Sequence, residues 1–118
     1  MAENAILIKS KAFAIRIVKL YQYLAQAKKE FVLSKQLLKS GTSIGANVRE
    51  AKRAQSRKDF ISKMSIALKE AAESEYWLKL LCKADYITEK DISSLISLCI
   101  ELEKMLVATL KTAKRNRN

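Results

Sequence analysis

The chain has no proline and only two glycines among its 118 residues, and this shortage of helix-breaking residues most constrains its fold. Proline removes a backbone hydrogen bond from a helix and glycine weakens a helix, so a chain nearly free of both can form long uninterrupted helices. A sheet of hairpins would require Gly, Pro or Asn at short intervals, and the sequence has no such spacing. The sequence therefore predicts an all-α protein.

Four segments carry apolar residues at steps of three and four, which is the spacing of one face of a helix. They span about residues 4–26, 34–55, 57–83 and 89–113, and residues 114–118 are expected to fray. Because the connections are short, neighbouring helices should be antiparallel. We predict a single domain over residues 1–118, folded as an antiparallel up-down four-helix bundle. Ser34, Ser56 and Thr88 are the predicted N-caps of the second, third and fourth helices.

Gly41 and Gly45 fall inside the second predicted helix, where each costs about 1 kcal/mol relative to alanine. Because they are four residues apart they share a face, and a face without side chains lets another backbone come close. We expect that neighbour to be the third helix, because the middle of its apolar seam is small: Ala67, Ala71 and Ser74. A phosphate-binding loop is the alternative, but the segment lacks the Gly-Lys-Ser/Thr ending and follows no strand.

Positive charge is concentrated in two parts of the chain, whose formal net charge is +11. Residues 28–58 contain nine basic and two acidic residues, a net +7, and residues 111–118 contain four basic residues and no acidic one, a net +4. Such a local excess attracts polyanions and predicts salt-dependent binding of RNA or DNA. The alternative is a basic surface that serves only solubility. The expected nucleic-acid-binding residues are Lys35, Lys39, Arg49, Lys52, Arg53, Arg57, Lys58, Lys114, Arg115 and Arg117.

Arg49, Arg53 and Arg57 are spaced by four residues, with Lys52 alongside, and could make a continuous cationic ridge. Few aromatic residues lie among the basic ones, so stacking on unpaired bases is not indicated. We therefore expect contacts to phosphates with little sequence preference.

Enzymatic chemistry is not expected of this chain. It contains no histidine, which removes the commonest general base and a common metal ligand. Cys82 and Cys99 fall in apolar helical segments and lack further ligands for zinc, so we expect reduced core residues. No catalytic residue, metal or cofactor is predicted. No segment of about 18 uncharged apolar residues is present, so a membrane partner is not expected and the chain should be cytoplasmic.

Glu70, Glu73 and Trp77 share one face of the predicted third helix. They could form a polar network or a partner contact, with Arg49 or Arg53 pairing with one of the glutamates. They could equally form a solvated acidic face beside a core tryptophan, and the sequence leaves both interpretations open.

Two stretches resemble the 23S ribosomal RNA intervening-sequence proteins: residues 33–51, LSKQLLKSGTSIGANVREA, and residues 59–78, DFISKMSIALKEAAESEYWL. The resemblance implies a four-helix bundle assembled as a ring, typically a homopentamer. It also implies kinship with the accessory variability proteins of diversity-generating retroelements, which bind nucleic acid and a reverse transcriptase. It supplies no catalytic residue. The positions expected to serve helix packing or subunit contact are Gly41, Ser43, Gly45, Asn47, Glu50, Glu70, Glu73, Tyr76 and Trp77.

Together these features predict a non-enzymatic oligomer, favoured to be a pentamer, that binds nucleic acid through its basic surface. The alternative is an adaptor between proteins, for example for a reverse transcriptase, with incidental basic charge. Apolar residues off the main seam of the third helix, among them Tyr76, motivate that alternative.

Overall fold

The computed structural model describes residues 2–116, with side chains from residue 4 onward. Helix α1 spans Ala2–Gln26, α2 spans Leu33–Lys52, α3 spans Arg57–Lys83 and α4 spans Glu89–Arg115, and no strand is present in this range. Each helix packs against the next, and α1 also packs against α4, so the four helices run alternately up and down around a square. The predicted all-α, antiparallel up-down four-helix bundle is confirmed.

The bundle is held together by the apolar stripes that define the helices. In each helix most buried residues recur at steps of three and four, so they face the common axis. Complete burial of a side chain such as Leu, Ile or Phe stabilises the fold by about 1.5–3 kcal/mol. The largest side chains that are fully removed from solvent are Ile6, Phe13, Ile17, Leu24, Leu37, Ile44, Met64, Leu78, Leu81, Leu102 and Leu106.

Helix α2 is capped by Glu30, and the predicted cap Ser34 is wrong. The Glu30 carboxylate accepts hydrogen bonds from the backbone N–H groups of Val32, Leu33 and Ser34 at 3.1, 3.0 and 2.7 Å. Ser34 lies inside the first turn, where its hydroxyl donates to the Glu30 carbonyl oxygen at 2.8 Å. Burial opposes the charged form of Glu30, but these amide donors outweigh it and hold the pKa of the carboxyl below its usual 4.5.

The turn from α2 to α3 comes earlier than the sequence pattern predicts. Helix α2 ends at Lys52 rather than near residue 55, and Ser56 adopts the extended backbone of an N-cap. Its hydroxyl accepts from the Asp59 N–H at 3.0 Å, as predicted. The Asp59 carboxylate accepts from the Gln55 N–H at 3.4 Å, one residue before the cap.

Thr88 caps α4 as predicted and forms a complete capping box. Its hydroxyl accepts from the Asp91 N–H at 3.1 Å, while the Asp91 carboxylate accepts from the Thr88 N–H at 3.2 Å. Hydrogen bonds from the Thr88 side chain and backbone lower the pKa of Asp91. Both otherwise unpaired amide groups at this helix start are thereby satisfied.

The glycines of α2 face α1, and the prediction that they face the small residues of α3 is wrong. A Cβ atom at Gly41 would lie 2.8 Å from both γ carbons of Ile17, and one at Gly45 would lie 3.3 Å from the Ser10 hydroxyl oxygen. The two glycines thus let the α1 side chains Ile17 and Ser10 seat against the α2 backbone. Their spacing defines a face of the helix but not which neighbour that face meets.

A buried serine pair joins α2 to α3 where the glycines were expected to act. The Ser74 hydroxyl lies 2.9 Å from the Ser40 hydroxyl and 2.9 Å from the carbonyl oxygen of Glu70. The Ser40 hydroxyl in turn donates to the Leu37 carbonyl at 3.3 Å. Both serines are removed from solvent, so the pair supplies a directional bond in an otherwise apolar seam.

Candidate nucleic-acid interface

One end of the bundle collects basic side chains from three helices. Because the helices alternate in direction, the C-termini of α2 and α4 lie beside the N-terminus of α3. We call this region the basic end, and define it by the exposed residues Arg49, Lys52, Arg53, Arg57, Lys58, Lys111, Lys114 and Arg115. A depression of about 480 Å³ between α3 and α4 shows that residues distant in sequence converge here, because Arg57, Lys58 and Ile61 line it together with Lys114.

The cations of the basic end keep their charge available for a ligand. Within residues 2–116 the ion pairs are Lys9–Glu101, Lys63–Glu50 and Lys79–Glu75, and none of them uses a cation of the basic end. Of these cations, Lys52 donates to the Asn4 side-chain oxygen at 2.7 Å, which also ties the start of α1 to the end of α2.

Helix dipoles favour the placement of several of these cations. Arg49 and Lys52 lie in the last turn of α2, and Lys114 and Arg115 lie in the last turn of α4. The backbone carbonyls at a helix C-terminus carry partial negative charge, so cations are stabilised there. The dipoles of α2 and α4 therefore stabilise four cations of the cluster, whereas the dipole of α3 opposes Arg57 and Lys58 in its first turn.

The predicted cationic ridge along one helix is wrong. Arg49 belongs to α2, Arg53 follows the last residue of that helix, and Arg57 begins α3. The chain reverses between Arg53 and Arg57, so the three guanidinium groups belong to a turn and two antiparallel helices. They contribute to a cluster at the end of the bundle instead of a stripe along its side.

Three residues of the predicted binding set are not part of the cluster. Lys35 and Lys39 are exposed in the first half of α2, and Lys35 is about 21 Å along the helix axis from Arg49 at 1.5 Å per residue. Arg117 lies outside the described residues. The structure thus brings together Arg49, Lys52, Arg53, Arg57, Lys58, Lys114 and Arg115, and adds Lys111, which the sequence pattern did not single out.

The polar residues of α2 that were predicted to make contacts mostly bond within their own helix. The Ser43 hydroxyl donates to the Lys39 carbonyl at 2.6 Å, and the Asn47 amide donates to the Ser43 carbonyl at 2.8 Å. Glu50 reaches across to α3 and pairs with Lys63 at 3.2 Å. Within one chain these side chains therefore stabilise α2 and its contact with α3.

Glu73, Tyr76 and Trp77 form a compact group on α3. The Trp77 indole N–H donates to the Glu73 carboxylate at 3.3 Å, and the rings of Tyr76 and Trp77 meet edge to face with centroids 5.0 Å apart. In the part of the chain that is described, neither Arg49 nor Arg53 pairs with Glu70 or Glu73. The tryptophan is half-buried and Tyr76 is 58% exposed, so this group presents aromatic surface to the solvent.

Comparison with known families shows which family this four-helix bundle belongs to. A family model described as 23S rRNA-intervening sequence protein matches residues 2–108. The chain belongs to the 23S rRNA-intervening sequence protein family. The predicted resemblance to this family is confirmed.

A crystal structure of a relative supports the same assignment. It is a protein of unknown function from the S23 ribosomal protein family of Bacteroides thetaiotaomicron VPI-5482, 54% identical to this chain. The similarity covers 94% of this chain and 99% of that one, with a TM-score of 0.92. No protein with a curated description matches.

This member of the 23S rRNA-intervening sequence protein family also carries a carboxyl pair between α3 and α4 that sequence reasoning missed. Burial, a hydrogen bond with Glu75 and repulsion by its charge raise the pKa of Glu103 to about 7. Glu75 accepts that hydrogen bond and pairs with Lys79 at 2.6 Å, and both contacts lower its pKa. Glu103 is therefore the member of the pair whose protonated form is favoured, while Glu75 stays ionised beside Lys79. The sequence shows only acidic residues on two helices, and their proximity depends on the register between those helices.

The two thiols of the family member differ in their surroundings. Cys99 is fully buried and its thiol donates to the Ala71 carbonyl at 3.2 Å, while burial raises its pKa. Cys82 is half-exposed, and both are free thiols. In residues 2–116 no group of three or more His, Cys, Asp or Glu is placed to hold a metal ion, and no helix there has the length and apolar character needed to cross a membrane.

Proposed function

We propose that this family member is a non-enzymatic, oligomeric nucleic-acid-binding protein whose basic end contacts the phosphates of RNA or DNA. The observation that carries the proposal is the convergence of eight exposed cations from α2, α3, α4 and the turn after α2, none of them in an ion pair within the described residues. Each cation that neutralises a phosphate releases condensed counterions, which favours binding at low salt.

The composition of the basic end favours contacts with phosphates over contacts with bases. Aromatic side chains that could stack on unpaired bases do not line the depression formed by Arg57, Lys58, Ile61 and Lys114. Phosphate contacts position a protein on a duplex but carry little sequence information. We therefore expect weak sequence preference and a strong dependence of affinity on salt.

Assembly into a ring, with a pentamer favoured, is part of the same proposal and rests on the family resemblance. Several copies of the basic end in one particle would act on one nucleic acid as a multivalent surface, whose avidity exceeds the affinity of a single end.

The test is a salt titration of binding to short duplex RNA, duplex DNA and single strands by fluorescence anisotropy, with protein whose mass is known from light scattering. The variant Arg53→Ala/Arg57→Ala/Lys114→Ala should bind at least tenfold more weakly and reduce the slope of log affinity against log salt by about one for each lost phosphate contact. The control variant is Lys35→Ala/Lys39→Ala/Lys83→Ala, which removes the same number of positive charges from the opposite half of the bundle.

Equal weakening by both triple variants would show that overall charge, and not the basic end, attracts the nucleic acid. No binding by an intact oligomer at low salt would contradict the proposal and favour the alternative, an adaptor for a protein such as a reverse transcriptase. The exposed aromatic surface of Tyr76 is the observation that favours that alternative.

A further inference from the structure

Two separate surfaces of the bundle expose apolar side chains that the core does not use. On α1 the exposed residues include Ile8, at 70%, and Ile15, and on α3 they include Ile66 and Tyr76. Clusters of exposed apolar residues on a small protein mark sites of contact with other molecules. The two surfaces differ in shape and carry charges of opposite sign, so each has the features that would complement the other.

The first surface is a groove between α1 and α2 with cations beside it. Its volume is about 510 Å³, and Ala14 and Ala46 leave it room because they have only methyl groups, while the Ser10 hydroxyl occupies the space over Gly45. We call it the α1–α2 groove, and its main lining residues are Leu7, Ile8, Lys11, Ala14, Gly45, Ala46 and Arg49. Ser10 and Thr42 add two hydroxyl groups to a lining that is otherwise apolar inside. Lys11 and Arg49 are both exposed, so the rim is positively charged.

The second surface projects from α3 and carries the opposite charge. Ile66, Glu70, Glu73 and Trp77 follow at steps of four, three and four, so they share one side of the helix, and Tyr76 stands beside Trp77. We call these five residues the α3 face. Tyr76 protrudes from this face, because it is exposed and packs edge to face on the half-buried Trp77. Its carboxylates have no ion-pair partner within residues 2–116.

We infer that the α3 face of one copy docks into the α1–α2 groove of a second copy of this chain. Tyr76, supported by Trp77, enters the groove beside Ala14 and Ala46. Glu70 and Glu73 meet Lys11 and Arg49 at the rim. In the assembly Arg49 therefore belongs to the interface, and the other seven cations of the basic end stay available for nucleic acid. Aromatic anchors seated in a pocket and surrounded by complementary charge are the usual centre of a protein–protein interface. The inference rests on the oligomeric state included in the proposed function and names the surfaces that would produce it.

The position of the two surfaces makes the interface head-to-tail. α1 and α3 occupy diagonal corners of the square, because each of them packs against α2 and α4 and not against the other. One copy can therefore offer its groove to one neighbour and its α3 face to another. Contacts between two different patches generate rings when the rotation between copies closes, and filaments when it does not.

The first experiment measures mass by light scattering for the full chain and two surface variants. The groove variant is Ile8→Glu/Lys11→Glu, and the face variant is Glu73→Lys/Tyr76→Lys. Both should be folded monomers by circular dichroism, while the wild-type chain is oligomeric. The control is Lys104→Glu/Val107→Glu on α4, which changes one exposed lysine and one exposed apolar residue at the same spacing and should keep the wild-type mass.

Mixing the two variants tests the head-to-tail arrangement. The groove variant retains its α3 face and the face variant retains its groove, so the mixture should form a one-to-one dimer and nothing larger. In addition, Lys11→Glu and Glu73→Lys should each reduce assembly, and the two changes in one chain should restore it, because the rim pair is re-formed with reversed sign.

Several results would overturn the inference. They are a monomeric wild-type chain, variants that keep the wild-type mass, a mixture that stays monomeric, or a charge exchange that restores nothing. An oligomer unaffected by the variants would leave the proposed oligomeric state standing and place its interface elsewhere. Nucleic-acid binding is measured separately, with variants of the basic end, so failure of one proposal does not imply failure of the other.

Discussion

Replacing Gly41 by alanine should destabilise the bundle, although alanine is the better helix former. The new Cβ atom would lie 2.8 Å from both γ carbons of Ile17 and 3.2 Å from its Cβ, and real Cβ contacts below 3.0 Å are essentially never seen. Ile17 is fully buried and β-branched, so its side chain has one strongly preferred rotamer in a helix and no free space to move into. Either α1 and α2 separate or Ile17 is strained.

The expected magnitude is the difference between two opposing effects. Overpacking of a tightly packed contact costs about 1–3 kcal/mol. Alanine in place of glycine inside a helix gains about 1 kcal/mol. The Gly41→Ala variant should therefore lose about 1 kcal/mol, within limits of about 0–2 kcal/mol. The free energy of unfolding is measured by urea titration with circular dichroism at fixed protein concentration, because association changes apparent stability.

Gly45 provides the matched control in the same helix. A Cβ there would lie 3.3 Å from the Ser10 hydroxyl oxygen, and a shift of a few tenths of an ångström relieves the contact. Gly45→Ala should be neutral or stabilising by up to about 1 kcal/mol. Comparing Lys39→Ala with Lys39→Gly at an exposed site of α2 calibrates the helix-forming difference alone.

A second variant shows whether Ile17 causes the effect. In an Ile17→Ala background the two γ carbons are gone and only the Cβ at 3.2 Å remains, so adding Gly41→Ala should destabilise the chain by less than it does in the wild-type background. If Gly41→Ala stabilised the wild-type chain as much as Gly45→Ala does, the close approach of Ile17 would not be the reason for glycine at position 41.

Three further substitutions test hydrogen bonds and carboxyl groups that the fold brings together. Glu30→Gln should destabilise the chain at pH 7. The pKa of Glu30 is lower in the folded state, so its contribution is present above about pH 4.5 and is lost as the pH falls through the lowered pKa. The difference between the wild-type and variant urea midpoints should therefore shrink as the pH falls below 4.5. Glu103→Gln should have the opposite pH dependence. The pKa of Glu103 in the folded state is raised to about 7, so its contribution to stability is fully present below about pH 4.5 and is lost as the pH rises to about 7. The variant should gain stability relative to the wild-type chain over that interval, and parallel pH profiles would contradict the raised pKa. Ser74→Ala should cost about 0.5–1.5 kcal/mol in the urea titration, and adding Ser40→Ala should cost less than the sum of the single changes, because no buried hydroxyl is left without its partner.

The helices and their buried faces could be predicted from the sequence, because the residues of a helix that face the core recur every three or four positions and are mostly apolar. Ala67, Ala71 and Ser74, the predicted small middle of the seam of α3, are all buried. The caps at Ser56 and Thr88 follow from residue types at fixed offsets, and both are present. These features depend on neighbours within a few residues, which a sequence shows directly.

Features that depend on how helices are arranged could not be predicted. The spacing of Gly41 and Gly45 gave the right face but not the neighbour, since α1 and α3 both flank α2. The Glu30 cap depends on a loop conformation that folds a carboxylate back over the helix start, where Lys29 has a φ of 54°. The cluster at the basic end depends on where α2 stops, because a helix three residues longer would have kept Arg53 on the ridge predicted for Arg49.

Because the two cysteines differ in exposure, thiol labelling can be used to count the chains in one assembled particle. A dye that reacts with thiolates should attach to the half-exposed Cys82 and leave the buried Cys99 unmodified, because the thiolate is the reactive form. With no engineered residue, each subunit then carries one label. The number of bleaching steps from a single fully labelled particle would equal the number of chains in the assembly.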